Sequence, residues 1–242
     1  MADFLLIHGS WFGAWSWNRV VALLSTSGHR AIAIDLPGHG EDRTPLTAIG
    51  FEDYVGAVRR QVAASETRPI LVGHSMAATV AAHTADRFPE DVAAVVAVAG
   101  LQIPSGVSML AGLTGADPEY LASIVWSDDR STALISPEGA SRFLYQLCPE
   151  IAEVATPRLT PEPIRPYETP LTASPDIYHR VPHYYIRCTE DKAVLPSMQT
   201  QMCRVSQPTA IFEIAADHCP FFSAPEELAD ILIQISARIN TG

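Results

Sequence analysis

Ile70-Leu71-Val72-Gly73-His74-Ser75-Met76-Ala77-Ala78 decides how this chain is read. An apolar run fit for a buried strand passes directly into Gly-His-Ser-Met-Ala, and an alanine-rich stretch of helical character follows. Gly73 and Ala77 have the small bulk that a sharp strand-to-helix turn requires. A serine carried on such a turn stands above the sheet edge at a helix N-terminus, where free N–H groups and the helix dipole favour developing negative charge. The usual pattern ends in glycine, and Ala77 is a mild departure from it. A serine that merely caps an ordinary helix would read the same locally. The motif therefore fixes a strand–turn–helix unit and leaves the chemistry to its context.

The context is a repeated strand–helix rhythm. Strands are expected at Phe4 to His8, Ala31 to Asp35, Ile70 to Val72 and Val92 to Ala99. Helices are expected from about Trp15 to Ser27, over the Phe51, Tyr54, Val55, Val58 and Val62 spacing, and from Met76 to about Arg87. Apolar runs without polar alternation imply a mostly parallel sheet covered on both faces by helices, an α/β class. The rhythm stops after Gly100. Residues 101–180 show no clean strand, eight prolines fall between Pro149 and Pro182, and nine acids face four bases between Asp117 and Glu168. This stretch reads as an inserted, mainly helical cap over a core of residues 1–100 and 181–242. Strand rhythm resumes at His183 to Cys188 and Thr209 to Ile214, and an amphipathic helix from about Pro225 to Arg238 closes the fold.

Composition narrows the partners. The chain has 242 residues, 48% hydrophobic and 18% charged, with a formal net charge of −11. One large domain with a substantial core fits these values, and a disordered chain does not. A single lysine, Lys192, and fifteen arginines leave no basic face for a phosphate backbone, so nucleic acid is not an expected partner. The longest apolar stretch, Val92 to Ala99, is far shorter than a membrane span, and the N-terminus lacks the positive region of a signal peptide. Cys148, Cys188, Cys203 and Cys219 show no CxxC and no zinc spacing. They read as reduced thiols filling the core of a cytoplasmic protein. No heptad or long apolar stretch demands an obligate dimer; a homodimer stays open.

A reactive serine needs a base, an orienting acid and donors for an oxyanion. Of the eight histidines, only His218, in Ala216-Asp217-His218-Cys219-Pro220, follows the last strand by a few residues. A loop histidine there can reach over the sheet edge to Ser75. His29 and His39 fall in turns, His83 on a helix, and His74 is expected to point away. Asp191 in Thr189-Glu190-Asp191-Lys192 gives the chain order serine, acid, histidine. Glu190 is its rival, and Asp217 is too close to His218 in sequence to orient that ring. The N–H of Met76 and of Ser10, in the loop His8-Gly9-Ser10-Trp11-Phe12-Gly13, are the expected oxyanion donors, with His8 a core histidine.

With these residues quoted, the chain resembles the α/β-hydrolase superfamily, and within it the branch of methylesterases and hydroxynitrile lyases. Three segments carry the resemblance early in the chain: Leu6 to Trp15, Asp35-Leu36-Pro37-Gly38-His39-Gly40 and Gly73 to Met76. Three more carry it later: Phe143 to Cys148, Tyr185 to Lys192 and Ala216 to His218. The resemblance implies an α/β-hydrolase fold, with Ser75 as nucleophile, His218 as base, Asp191 as its orienter, and Ser10 and Met76 as oxyanion amides. No metal or organic cofactor is implied, and no HExxH, P-loop or GxGxxG occurs. Lyase members carry a threonine after the first-strand histidine and a lysine after the catalytic one, where this chain has Gly9 and Cys219.

The expected activity is therefore that of a serine esterase, of carboxylesterase or methylesterase type, on a small, largely apolar ester by way of an acyl-enzyme. Trp11, Phe12, Leu113, Trp126, Phe143, Leu144 and Phe221 are the expected pocket walls. Two other functions remain on the same site: a lyase or cyclase of a biosynthetic intermediate, and a ligand-binding receptor with a vestigial triad.

Overall fold

The computed structural model describes residues 1–240. Its first four strands are β1 (Asp3–Ile7), β2 (Arg30–Ile34), β3 (Ile70–His74) and β4 (Ala94–Val98). Short strands β5 (Ile124–Trp126), β6 (Thr132–Ile135) and β7 (Glu162–Pro163) follow, then β8 (His183–Cys188) and β9 (Ala210–Ile214). Six of them form one sheet in the order β2-β1-β3-β4-β8-β9, and every neighbouring pair runs parallel. The three central strands β1, β3 and β4 are buried at all five positions, whereas the edge strands β2 and β9 expose Ile32 and Ile211. The unbroken apolar runs belong to strands covered on two faces, and the weaker runs to edges.

Five longer helices cover the sheet: α1 (Asn18–Thr26), α2 (Phe51–Ala64), α3 (Ala77–Arg87), α4 (Pro196–Ser206) and α5 (Pro225–Asn240). α1 packs beside α5, and α2 beside α3. Because the strand order reverses between β1 and β3, right-handed crossovers place these two pairs on opposite faces. The same reversal opens a crevice beyond the carboxyl ends of β1 and β3, where their following loops diverge. The loop 8–13 and the turn at Ser75 flank that crevice.

The stretch between β4 and β8 corrects one expectation. It carries strands: β5, β6 and β7 form a three-stranded antiparallel sheet, with β6 in the middle. The rest is short helical turns, including a π-helical segment at Ala140–Leu144. Strands of two to four residues are too short for alternation to register in sequence, and Pro163 is tolerated because β7 is an edge. The β5–β6 connection is fixed locally: the Asp129 carboxylate accepts from Ser127 Oγ, Ser131 N–H and Ser131 Oγ at 2.7, 3.0 and 2.8 Å.

The helix α4 went unread in the sequence, although Pro196 at its start and the buried Met198, Met202 and Cys203 mark it. All four cysteines are free and buried. Among the described residues no helix is long and apolar enough to cross a membrane.

Candidate active site

Ser75 follows β3 directly and has φ of +53°, a left-handed backbone that a non-glycine residue adopts only when its surroundings impose it. Gly73 makes the turn feasible, because a Cβ there would lie 2.4 Å from the Ala77 carbonyl oxygen. Gly9 plays the same part across the crevice: a Cβ would meet His74 Nδ1 at 2.6 Å and Ser75 Cβ at 2.9 Å. The two loops are thus packed backbone against side chain, with no space for a larger residue at either glycine.

Asp191 and His218 stand on the loops after β8 and β9. The Asp191 carboxylate is buried and fully bonded. Its Oδ1 accepts the N–H groups of Ala193 and Val194 at 2.8 and 2.9 Å, and its Oδ2 accepts Gln199 Nε2 at 3.1 Å. The remaining contact is His218 Nδ1 to Asp191 Oδ2 at 2.8 Å. A carboxylate acceptor on that side places the proton on Nδ1 and leaves a lone pair on Nε2. Gln199, on α4, also bonds both the N–H and the carbonyl of Cys188, so it joins the end of β8 to the acid. Glu190 is exposed, and its carbonyl accepts from Gln146.

His74 makes no hydrogen bond to Ser75 among the described residues: its Nε2 donates to the His218 carbonyl at 2.7 Å, and the two rings lie 4.6 Å apart. Burial, together with the neighbouring His218, holds its pKa well below the ordinary histidine value, so it stands behind His218 as a neutral donor. His8 is likewise kept neutral by burial, with its pKa lowered to about 4, and both its nitrogens are bonded, to the Gly9 carbonyl and the Leu36 N–H. Asp217 anchors the His218 loop to the insertion by accepting from Leu147 N–H, Cys219 N–H and Ser223 Oγ.

Ser75 opens on a cavity that Ser10 also lines. Among the described residues the Ser75 hydroxyl, His218 Nε2 and the N–H groups of Ser10 and Met76 make no hydrogen bond. Contacts between such groups are often long in an unliganded site and tighten when substrate binds. Met76 itself is fully buried, and neither it nor His218 lines the cavity. The cavity wall is largely apolar and is lined by Trp11, Leu113 and Trp126, together with Leu101, Ile124, Ile164 and Val194.

Phe12, Phe143, Leu144 and Phe221 do not line it. Phe12 turns down into an aromatic cluster with Trp15, Tyr145, Phe221 and Phe222, and Phe221 packs edge-on against His74. Phe143 and Leu144 face inward from the π-helical turn, Phe143 against Tyr120. Their burial is core packing that supports the site from behind.

Three polar lining residues were not foreseen: Tyr120, Glu162 and Tyr167. Burial raises the pKa of both tyrosines, which keeps them hydrogen-bond donors. Nothing local in the sequence marks Glu162 and Tyr167, because their partners lie more than a hundred residues away. No group of three or more His, Cys, Asp or Glu among the described residues is placed to hold a metal ion.

Residues 4–231 match the model of the alpha/beta hydrolase family. The chain is similar to methylesterase 7 of Arabidopsis thaliana, 34% identical over 252 residues that cover 97% of this chain and 96% of that one. It is also similar to esterase PIR7B of Oryza sativa subsp. japonica, 34% identical with 97% and 96% covered. Among solved structures, polyneuridine aldehyde esterase superposes with a TM-score of 0.87 at 23% identity, covering 98% of this chain and 99% of that chain. A strand–turn–helix serine, an acid and a histidine after the next strands, and full-length similarity to named esterases converge on one placement: this chain belongs to the alpha/beta hydrolase family, in its methylesterase-like branch.

Proposed function

We propose that the chain hydrolyses small, largely apolar carboxylic esters, with methyl esters the leading class, through Ser75, His218 and Asp191. The observation that carries this reading is Ser75: a residue of strained backbone whose unpaired hydroxyl opens on an apolar cavity, at the same sheet edge as an imidazole whose Nδ1 is held by a buried carboxylate. In the proposed course, Ser75 Oγ attacks the ester carbonyl carbon while its proton passes to His218 Nε2. The oxyanion meets the N–H groups of Ser10 and Met76. Collapse expels the alcohol, which takes the proton from His218 and leaves an acyl-enzyme. Water, deprotonated by His218, then releases the acid and restores Ser75.

The wall of Leu101, Leu113, Ile124, Trp126 and Ile164 suits an apolar acyl group, and among the described residues no Lys, Arg or His lines the cavity. Residues 101–180 serve as the cap over the 1–100 and 181–242 core. Similarity to methylesterase 7 supports a small alcohol as leaving group. The lyase alternative loses support at two positions. Gly9 has no space for a side chain, and Cys219, fully buried, offers no cation to a departing cyanide. Four free, buried thiols suit a reducing compartment such as the cytoplasm.

Ser75→Ala tests the reading. Turnover of p-nitrophenyl acetate is expected to disappear while the melting temperature stays within a few degrees. Mass spectrometry after fluorophosphonate treatment is expected to show one adduct, on Ser75. Unchanged turnover, or no adduct in the wild type, would refute it.

A further inference from the structure

Trp11 holds a φ of +68°, a left-handed backbone that a bulky side chain does not adopt without outside support. Among the described residues its hydrogen bonds run to the insertion and not to the sheet. The Trp11 N–H donates to Glu162 Oε2 at 3.2 Å, and the indole N–H to the Ala133 carbonyl at 3.0 Å. The Trp11 carbonyl accepts the Thr160 N–H at 2.8 Å and the Thr160 hydroxyl at 3.3 Å. One residue earlier, the Ser10 hydroxyl is hydrogen-bonded to the Tyr167 hydroxyl. Ala133, Thr160, Glu162 and Tyr167 all belong to the segment inserted between β4 and β8.

Glu162 is the centre of this arrangement. It is 2% exposed, and both its oxygens are occupied: Oε1 accepts Tyr54 Oη–H at 2.9 Å, and Oε2 accepts the Trp11 N–H and lies 3.5 Å from His39 Nε2. His39 in turn contacts Thr160 Oγ1 at 2.9 Å and Tyr54 Oη at 3.1 Å. A peptide unit is planar, so fixing the Trp11 N–H fixes the whole Ser10–Trp11 plane. With the Ser10 hydroxyl held as well, Ser10 has little torsional freedom left, and the direction of its own N–H is set.

We infer that Glu162 is a positioning residue for the reaction: by accepting the Trp11 N–H it aims the Ser10 amide at the oxyanion, so the insertion is half of the oxyanion device and not a removable lid. This rests on the esterase reading above. An electrostatic role has the wrong sign, because a negative charge one peptide away opposes a developing oxyanion. What Glu162 contributes is hydrogen-bond acceptance, which a glutamine also supplies.

The test compares wild type, Glu162→Leu, Glu162→Gln and Trp11→Phe, each checked for a cooperative melt. Steady-state kinetics on a p-nitrophenyl ester are measured beside inhibition by two matched ketones. An aryl trifluoromethyl ketone takes Ser75 Oγ onto its carbonyl carbon, passes the serine proton to His218 and leaves an oxyanion in the hole. The plain methyl ketone binds without that adduct.

Loss of one oxyanion donor costs about 10²–10³-fold, so mis-aiming it through Glu162→Leu is expected to lower kcat by about 10–100-fold. The trifluoromethyl ketone should weaken by a similar factor, with KM and the methyl ketone inhibition constant within about twofold. Glu162→Gln is expected to recover most of both losses. Trp11→Phe, which deletes the indole bond to Ala133 and trims the cavity wall, is expected to lower kcat about two- to fivefold and to weaken the trifluoromethyl ketone by that factor more than the methyl ketone.

Equal weakening of the two ketones, an unchanged kcat in folded Glu162→Leu, or Glu162→Gln no better than Glu162→Leu would overturn the inference. If Glu162→Leu does not fold, Trp11→Phe and Glu162→Gln decide it, and a Trp11→Phe variant without selective loss overturns it. A wild type that neither turns over esters nor forms the adduct would overturn the esterase reading itself, an outcome no Glu162 variant can mimic.

Discussion

The edge of the parallel sheet and the insertion above it present residues to the same cavity by different means. At the edge, Ser75 follows β3 immediately, Asp191 stands three residues past Cys188, and His218 four past Ile214. Each side chain is carried on a loop too short to wander, rooted in a strand whose last residue is buried. In the insertion the elements are two to five residues long, and the residues that reach the cavity are spread from Leu101 to Tyr167. Their placement depends on contacts with one another and with the loop 8–13. The rim is therefore expected to control reaction chemistry, and the insertion to control fit and the aim of the Ser10 amide.

The largest effect should come from the rim. Asp191→Asn turns an acceptor into a donor opposite His218 Nδ1 and Gln199 Nε2, forcing the wrong tautomer on the imidazole. Turnover of an aryl ester is expected to fall about 10³–10⁴-fold with little change in KM. A loss below tenfold would show that the rim is not where the chemistry resides.

Acid should attack the core before the insertion. His8 and His83 are held neutral by burial, each with a pKa lowered to about 4, and His183 is lowered to about 3, whereas the insertion contains only the exposed His179. A folded-state pKa below the unfolded value means that the unfolded chain binds more protons in between. Stability from these residues is thus fully present above pH 6.5 and is lost as pH falls toward 4, by about 3 kcal/mol for each histidine whose pKa drops from 6.5 to 4. Melting temperature is expected to be flat above pH 6.5 and to drop steeply below it. His83 packs edge-on against Phe51 with neither nitrogen bonded among the described residues. His83→Leu should flatten that drop while changing little at pH 7.5. An unchanged slope in this variant would break the assignment.

The smallest effect sharpens the role of the insertion. Trp126→Ala removes apolar wall without touching the rim. It is expected to raise KM for esters with long acyl chains about tenfold, roughly 1.4 kcal/mol of lost contact, and to leave kcat within about threefold. A kcat loss as large as that of Asp191→Asn would erase the distinction between the two regions.

Both the legible and the illegible parts follow from this contrast. Six strands, the elbow at Ser75 and the loops of Asp191 and His218 could be read because each is marked by residues adjacent in sequence: apolar runs, Gly73 beside Ser75, an acid or histidine just past a strand. The partner of His74 went unread because a side chain's direction on a tight turn depends on what the neighbouring loops leave open, here the Gly9 backbone and the His218 carbonyl. Phe12 and Phe221 were misplaced for a related reason: an aromatic on a tight loop at the sheet edge packs equally well above that edge or below it, and the cluster around Trp15, Trp17 and Phe222 drew both inward.

The sequence by itself determined the sheet, the order of its polar residues and the glycines that let two loops approach, because strand burial and turn geometry are short-range consequences of residue type. Tertiary structure alone decided which wall the cavity has and what holds Trp11 in a left-handed backbone. Those depend on bonds such as Glu162 to Tyr54 and Tyr167 to Ser10, closed across 108 and 157 residues of chain, and no local pattern encodes a hydrogen bond of that span.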